Sequence, residues 1–406
     1  MVRRLVAAIS FAWAALSFAA GGHGGHGDGG PTDGAKAPLR ARVGLSVGAA
    51  VSPAGLLWLV GLNADGRLFV QSSRDFGLTW DAARLLDIGS DKVAADGENR
   101  PKIAFGPESR VVISYTQPLA KPYTGEIRML RSDDGGASFS APFTVHRDRQ
   151  VITHRFESLA FDRGGVLHAV WIDKRDQVAA TRENERGNRT GGYAGAAVYR
   201  NESRDGGLSF GPDIKLADHS CECCRIALAP TPEGGLAAMW RHVFEPNLRD
   251  HAFAVLGEQK APVRASFDDW KLDACPHHGP GLAPAAQGGY HAVWFGEKAG
   301  RAAVRYGRLS AGGAPQGEAQ ELPDPRAEHA DVVASGRQVA IAWRSYDGVQ
   351  TRLRAWVSAD DGAHFALREL ASSKEENDYP RLLASPAGLR VLWRTAKEVH
   401  VLPIIP

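Results

Sequence analysis

The sequence predicts an all-β fold built from tandem antiparallel units, and three observations carry that prediction. An eight-residue pattern, Ser-x-Asp-x-Gly-x-(Ser/Thr/His)-aromatic, occurs at 73–80, 132–139, 203–210 and 358–365. The Asp carboxylate accepts backbone N–H groups within a turn, the Gly supplies a positive φ, and the aromatic opens the outgoing strand and packs inward. Short apolar segments that end in an aromatic recur roughly every 50–70 residues, which suits a four-stranded unit with some long loops. The 406 residues include 46 Gly and 23 Pro, and no long amphipathic helical pattern is present. The expected architecture is a β-propeller of four-stranded antiparallel blades, seven blades in preference to six.

Taken in order, the chain opens with Arg3 and Arg4, an apolar run at 5–18, and small residues Ala19 and Ala20. This is the pattern of an export signal over 1–20. The run is short for a membrane span, so no transmembrane segment is expected after cleavage. The destination is the periplasm if the source is Gram-negative, and the medium otherwise. Residues 21–37 are rich in Gly and His and are expected to be disordered. A cut after Ala20 would leave Gly21-Gly22-His23 at the amino terminus. Its amine, two amides and imidazole form a square-planar set suited to copper(II) or nickel(II). The plain alternative is a linker whose histidines do nothing.

The repeated array is expected to fill 38–406. Units start near Val43, Arg100, Arg155, Cys224, Gly279, His329 and Tyr379. Their second strands carry Trp58, Tyr115, Trp171, Trp240, Trp294, Trp343 and Trp393, read as core between blades. Units four and five lack the full turn pattern, and 266–270 reads as a shortened relic of it. The last unit has three strands, and 38–43 is expected to supply its fourth, which removes free sheet edges. The polar insert 174–192 reads as a solvated loop, with a lid as the alternative. Asn188-Arg189-Thr190 matches a glycosylation sequon.

The repeated turn resembles the Asp box of the sialidase-like (BNR-repeat) β-propellers. The resemblance implies that innermost strands line a central channel and that their starting residues form its mouth. It also implies that the Asp boxes lie on the opposite side, as structural features. The strand starts at 99–101, 154–157, 223–225, 277–280, 328–330 and 378–381 are rich in Arg, His and Cys. That ring is the candidate binding site for a small molecule, a glycan or a metal. A sialidase would need three arginines on the substrate carboxylate, a Tyr nucleophile with a Glu partner, and an Asp acid. Arg100, Arg225 and Arg381, Tyr379 with Glu157, and Asp96 are the nominees. The chain departs from the family where Arg100-Pro101-Lys102-Ile103 replaces an Arg-Ile-Pro signature, and where Cys224, His277 and His278 crowd the site. True sialidases also have six blades. The plain alternative pairs the arginines with Glu157, Glu328 and Asp378.

The four cysteines fall in two places, Cys221, Cys223 and Cys224 before the fourth unit, and Cys275 before the fifth. Neighbouring loops would bring them together. Export and an even count favour disulfides, with one bridge from Cys275 to the 221–224 segment. The alternative is a copper or zinc site in which three or four thiolates are joined by His219, His277 or His278. The formal net charge of +2 gives no case for nucleic acid. No phosphate loop, nucleophile-elbow Ser or two-His zinc helix is present. A ligand- or metal-binding protein is the first reading, an exo-sialidase the second, and a scaffold docking another exported protein the third.

Overall fold

Each repeated unit folds into one antiparallel sheet whose strands are ordered as in the sequence. The computed structural model describes residues 44–185 and 195–404. Blade 1 holds β1 (Gly48–Val51), β2 (Leu57–Leu62), β3 (Leu68–Ser73) and β4 (Arg84–Leu85). Blade 2 holds β5 (Lys102–Phe105), β6 (Val111–Pro118), β7 (Gly125–Ser132) and β8 (Phe143–Thr144). Blade 3 holds β9 (His154–Phe161), β10 (Leu167–Asp173), β11 (Ala196–Ser203) and β12 (Ile214–Ser220), with helix α1 (Arg175–Glu185) between β10 and β11. Blade 4 holds β13 (Ala227–Pro230), β14 (Leu236–Arg241), β15 (His251–Val255) and β16 (Val263–Arg264). Blade 5 holds β17 (Gly281–Pro284), β18 (Tyr290–Lys298), β19 (Arg301–Leu309) and β20 (Pro315–Glu321). Blade 6 holds β21 (Glu328–Ser335), β22 (Gln338–Tyr346), β23 (Thr351–Ser358) and β24 (Ala366–Ser373). Blade 7 holds β25 (Arg381–Ser385), β26 (Gly388–Arg394) and β27 (Val399–Pro403).

The innermost strands contact one another in turn, and β25 contacts β1, so the seven sheets close into a ring. This is a seven-bladed β-propeller. The expected fourth strand of blade 7, at 38–43, lies outside the described residues, as do the amino-terminal signal, the His/Gly tail with His23, and Asn188. No helix among the described residues is long and apolar enough to cross a membrane.

Burial falls from the middle of each blade to its rim. Every residue of β10 and β14 is buried, whereas β20 is almost wholly exposed. Middle strands are covered on both faces and read as continuous apolar runs. The second-strand aromatics fill the spaces between blades, with Tyr115, Trp171, Trp240, Trp343 and Trp393 all fully buried. Trp58 packs edge-on against Phe105 at 5.9 Å, joining blades 1 and 2.

The repeated turn behaves as its residues require. Ser73 Oγ donates to Asp75 Oδ1 at 2.8 Å and accepts the Gly77 N–H at 2.7 Å. Asp75 also accepts the Thr79 N–H at 2.8 Å and the Thr79 hydroxyl at 2.6 Å. Gly77, at φ 89°, has the backbone that only Gly takes without strain. The Thr79 hydrogen bonds hold the Asp75 carboxyl down to about 2. The same network forms at Asp134, Asp205 and Asp360, where His364 takes the Thr role through Nδ1 at 2.7 Å.

Two expectations are corrected. Residues 266–270 are not a relic of the turn, because they follow β16 and lead into blade 5, whereas the turn joins third and fourth strands. Within them Asp268 accepts the Trp294 indole N–H at 2.8 Å. The insert is not a plain solvated loop, because α1 spans Arg175–Glu185. Asp173 accepts the Arg175 backbone N–H at 2.9 Å and so satisfies an unpaired first-turn donor. Tyr199 donates to Asp176 at 2.8 Å and fastens the helix to β11.

Buried histidines make the fold acid-sensitive. His146 Nδ1 lies 2.7 Å from the Asp148 carbonyl, and its Nε2 accepts the Ile127 N–H at 3.1 Å. Only a neutral ring protonated at Nδ1 fits both. Burial, then the stacked His154, pushes His146 down to about 2. Burial and Arg308 push His291 down to about 4. A depressed histidine stabilises the fold above its unfolded value near 6.5 and withdraws that stability as pH falls through the folded value. Loss should approach roughly 3 kcal/mol for His291 alone near pH 4. The thermal midpoint should therefore fall steadily below pH 6.5, and a flat profile from pH 7 to 4.5 would refute this account.

Candidate functional site in the channel

The loops that enter the blades bring charged side chains to the channel, where facing strands fix them. Arg100 donates to Asp378 at 2.8 and 3.1 Å and to the Val47 carbonyl at 2.9 Å. Arg225 meets both oxygens of Glu98 at 3.1 Å and donates to the Pro280 carbonyl at 2.9 Å and the Ala330 carbonyl at 2.6 Å. Glu98 also accepts from His329 Nδ1 at 3.3 Å. Burial alone would raise the Glu98 carboxyl, but Arg225 and His329 outweigh it and hold the group well below the usual range.

Arg381 is different. Its nearest carboxylate oxygen, on Asp331, stands 3.5 Å away, and 30% of its side chain is exposed. Among the described residues its guanidinium makes no hydrogen bond. Lys102 lies 3.3 Å from Glu157 and donates to the Arg100 carbonyl at 2.8 Å. Burial, with Arg100 and Arg381 adding, pushes the Lys102 amine down against the pull of Glu157. A cavity of about 310 Å³ runs between these groups, lined by Arg100, Lys102, Arg225 and Arg381 but only by Glu98 and Asp331 as acids. Behind the wall Asp378 and Glu157 pair with Arg100 and Lys102, so Arg381 is the cation held most loosely.

At the mouth, Phe295, His278, His329 and Tyr379 form a run of stacked rings. Successive centroids are 4.3, 4.1 and 3.4 Å apart. Arg344 lies over the Tyr379 ring at 4.5 Å and pairs with Glu328 at 2.9 Å. Gly97 permits the stack, because a Cβ there would sit 2.4 Å from the Tyr379 ring. Burial, with Glu98 and Glu328 adding and Arg344 opposing, pushes the Tyr379 phenol up to about 12.

The nominated residues divide into groups. Arg100, Arg225 and Arg381 line the same channel cavity. Glu157 does not partner Tyr379, since its oxygens are taken by Ser114 at 3.0 Å, Thr116 at 3.1 Å and Lys102. Asp96 is exposed and lies 3.5 Å from Arg155. The expected pairings of arginines with acids hold for Asp378, while Arg225 takes Glu98 and Arg381 takes Asp331. Glu98 and Lys102 were missed. Glu98 stands one residue before a strand start, in the run Asp96-Gly97-Glu98-Asn99-Arg100, and its density of acids was the available signal.

The cysteines meet, but as free thiols. Cys221 Sγ stands 3.8 Å from both Cys223 Sγ and Cys224 Sγ, and Cys275 packs against the same cluster. The expected bridge from Cys275 is absent, since a disulfide requires about 2.05 Å between sulfurs. The histidines also separate from the sulfurs. His278 groups with Glu328 and His329, and His277 is exposed.

No family model and no curated protein matches this chain. Solved structures do resemble it. An ulvan lyase, described as a new family of polysaccharide lyase and bound to a glucuronate–sulfated rhamnose unit, aligns at 12% identity with a TM-score of 0.56, covering 89% of this chain and 94% of that one. An α-L-arabinofuranosidase of Fusarium graminearum aligns at 12% identity with a TM-score of 0.51, over 77% and 92%. A leech intramolecular trans-sialidase complexed with 2,7-anhydro-Neu5Ac aligns at 9% identity with a TM-score of 0.51, over 86% and 82%. At such identities the likeness shows the sialidase-like propeller fold.

Proposed function

We propose that this is an exported propeller that binds a carboxylate-bearing sugar in its channel and does not hydrolyse it. Arg381 supports this reading most directly, as a channel guanidinium with no hydrogen bond among the described residues and a carboxylate no nearer than 3.5 Å. Arg100, Lys102 and Arg225 line the same cavity, each already paired with a carboxylate, which leaves Arg381 as the fork open to a ligand. A carboxylate offers the acceptors such a fork lacks. The cavity, about 310 Å³, is near the lower limit for ligand sites and suits one sugar unit. Two of the similar structures hold acidic sugars, which favours the same ligand class here. Against turnover, the carboxylate nominated to activate Tyr379, Glu157, is engaged by Ser114, Thr116 and Lys102. Export rests on the amino-terminal charged, apolar and small-residue pattern.

Calorimetric titration with N-acetylneuraminic acid, glucuronic acid and their methyl esters tests the reading. The acids should bind and the esters should not. Arg381→Ala should weaken binding roughly 10- to 100-fold, the worth of a charge-assisted hydrogen bond. Equal binding of acid and ester would overturn the proposal. Release of a fluorogenic aglycone from a sialoside, lost in Tyr379→Phe, would replace it with the hydrolase reading.

A further inference from the structure

We infer that Cys221, Cys223, Cys224 and Cys275 form a tetrathiolate site for a thiophilic d10 ion, zinc(II) or copper(I). The site is separate from the sugar-binding channel and does not depend on that reading. The cluster spans the two loops that enter blades 4 and 5. Three of its sulfur-bearing residues are buried, with exposures of 0, 7 and 2% for Cys221, Cys223 and Cys224. A tetrahedron with metal–sulfur bonds of about 2.3 Å places its sulfurs about 3.8 Å apart. The observed separations of Cys221 from Cys223 and from Cys224 are both 3.8 Å, and these three sulfurs form the preassembled set, against which Cys275 packs as the ligand that closes in on loading. Packed thiols alone could adopt that spacing, so the surroundings decide.

Arg241 is the first deciding neighbour. It is 1% exposed and has no carboxylate within ion-pair distance among the described residues. Its donors reach only the carbonyls of Arg249, His278 and Phe295, and its Nε has no partner. The Trp270 ring lies 5.3 Å from the guanidinium and the Asp268 carboxylate acts on it from beyond ion-pair distance, so the buried charge is only partly balanced, which is unfavourable. The Cys221 backbone N–H donates to the Arg241 carbonyl at 3.0 Å, and the Arg241 charge acts on Cys221 and Cys224. An anionic metal–thiolate centre supplies the missing negative charge.

Trp240 is the second. In blades 2, 5 and 6 the second-strand aromatic donates to an Asp in the loop entering its own blade. Tyr115 reaches Asp91 at 2.7 Å, Trp294 reaches Asp268 at 2.8 Å, and Trp343 reaches Asp324 at 3.0 Å. In blade 4 that loop is the cysteine loop. Trp240 packs in the same core cluster as Cys221, Cys223 and Cys224, yet among the described residues its indole N–H has no acceptor. The cysteine loop occupies the connection from which blades 2, 5 and 6 supply their carboxylate. The buried polar groups around the cluster thus call for an anion that four neutral thiols do not provide.

An entry route exists. Cys275 is half-buried and lines a surface cavity of about 460 Å³ together with Glu222 and Asp273. Glu222, between two ligands, is held by Gln177 of α1 at 2.9 Å and by Lys174, the residue before the helix. Loading is a proton exchange without oxidation: one zinc(II) displaces four thiol protons and leaves a centre of charge −2. Copper(I) displaces the protons of whichever thiols it binds, with no change in its oxidation state.

The test uses the full chain purified without reductant or added metal, then analysed by elemental mass spectrometry. Close to one zinc or copper per chain is expected, and the element found distinguishes the two ions. Thiols should resist alkylation in the folded protein and react after chelation. Cobalt(II) added to the chelated protein should give tetrahedral d–d absorption with thiolate-to-metal charge transfer. Cys275→Ser, at the half-exposed ligand, should weaken retention about tenfold or more while the propeller still folds. If Cys224→Ser fails to fold, the wild-type metal and thiol counts still decide. Metal-free protein that takes up neither ion, or that contains disulfides, would overturn the site, whatever the sugar titration gives.

Discussion

Replacing Asp378 with alanine is expected to cost about 3–5 kcal/mol of folding stability, because it strands a buried guanidinium. Asp378 accepts both terminal nitrogens of Arg100, the Ser46 hydroxyl at 3.0 Å and the Val47 N–H at 3.2 Å. Its own carbonyl accepts the Trp393 indole at 3.0 Å. One side chain therefore ties the loop entering blade 7 to the segment entering blade 1 and to the loop entering blade 2. Apolar packing at the same seam, including Val47, Leu59, Phe69 and Leu392, completes the closure. Urea unfolding should show a lower midpoint with an unchanged slope. Replacing Arg100 and Asp378 together with apolar residues should recover much of the loss, since no charge is then left unpaired. A single-variant loss below about 1 kcal/mol, the scale of an exposed ion pair, would show that the pair does not close the ring.

Glu98→Ala is expected to be as damaging, again about 3–5 kcal/mol, because Arg225 loses the one carboxylate it hydrogen-bonds among the described residues. The pair joins four blades: Glu98 enters blade 2, Arg225 enters blade 4, and their further partners are Pro280 of blade 5 and Ala330 and His329 of blade 6. Its pH signature is distinct from that of the histidines. The Glu98 carboxyl is depressed in the fold, so its stabilisation is complete above its unfolded value near 4.5 and is lost as pH falls below that. Glu98→Gln should flatten the stability profile below pH 4.5 and leave the limb between pH 6.5 and 4.5 intact. An unchanged acid limb would show that Glu98 is not ionised in the fold.

Much of this architecture was legible before the structure. The strand starts near Arg155, His329 and Tyr379 fall at β9, β21 and β25, because apolar runs and turn residues mark local hydrogen bonding. Helix α1 was not legible, since its 11 residues are polar and gain their anchorage from Asp173 and Tyr199. The Tyr379–Glu157 partnership was drawn by family resemblance, and it gives way to Lys102, which stands on a neighbouring innermost strand.

By itself the sequence determined the all-β class, the seven units and the inner geometry of the Asp-box turns, because each depends on hydrogen bonds between residues close along the chain. Only the tertiary structure decided which charges pair across the channel, where Glu98 meets Arg225 over 127 positions and Arg100 meets Asp378 over 278. It likewise gathered the four cysteines as free thiols and set His278 beside His329 instead. The physical reason is ring closure: stacking seven sheets brings loop residues from every blade onto one axis, and no local pattern records which will face one another.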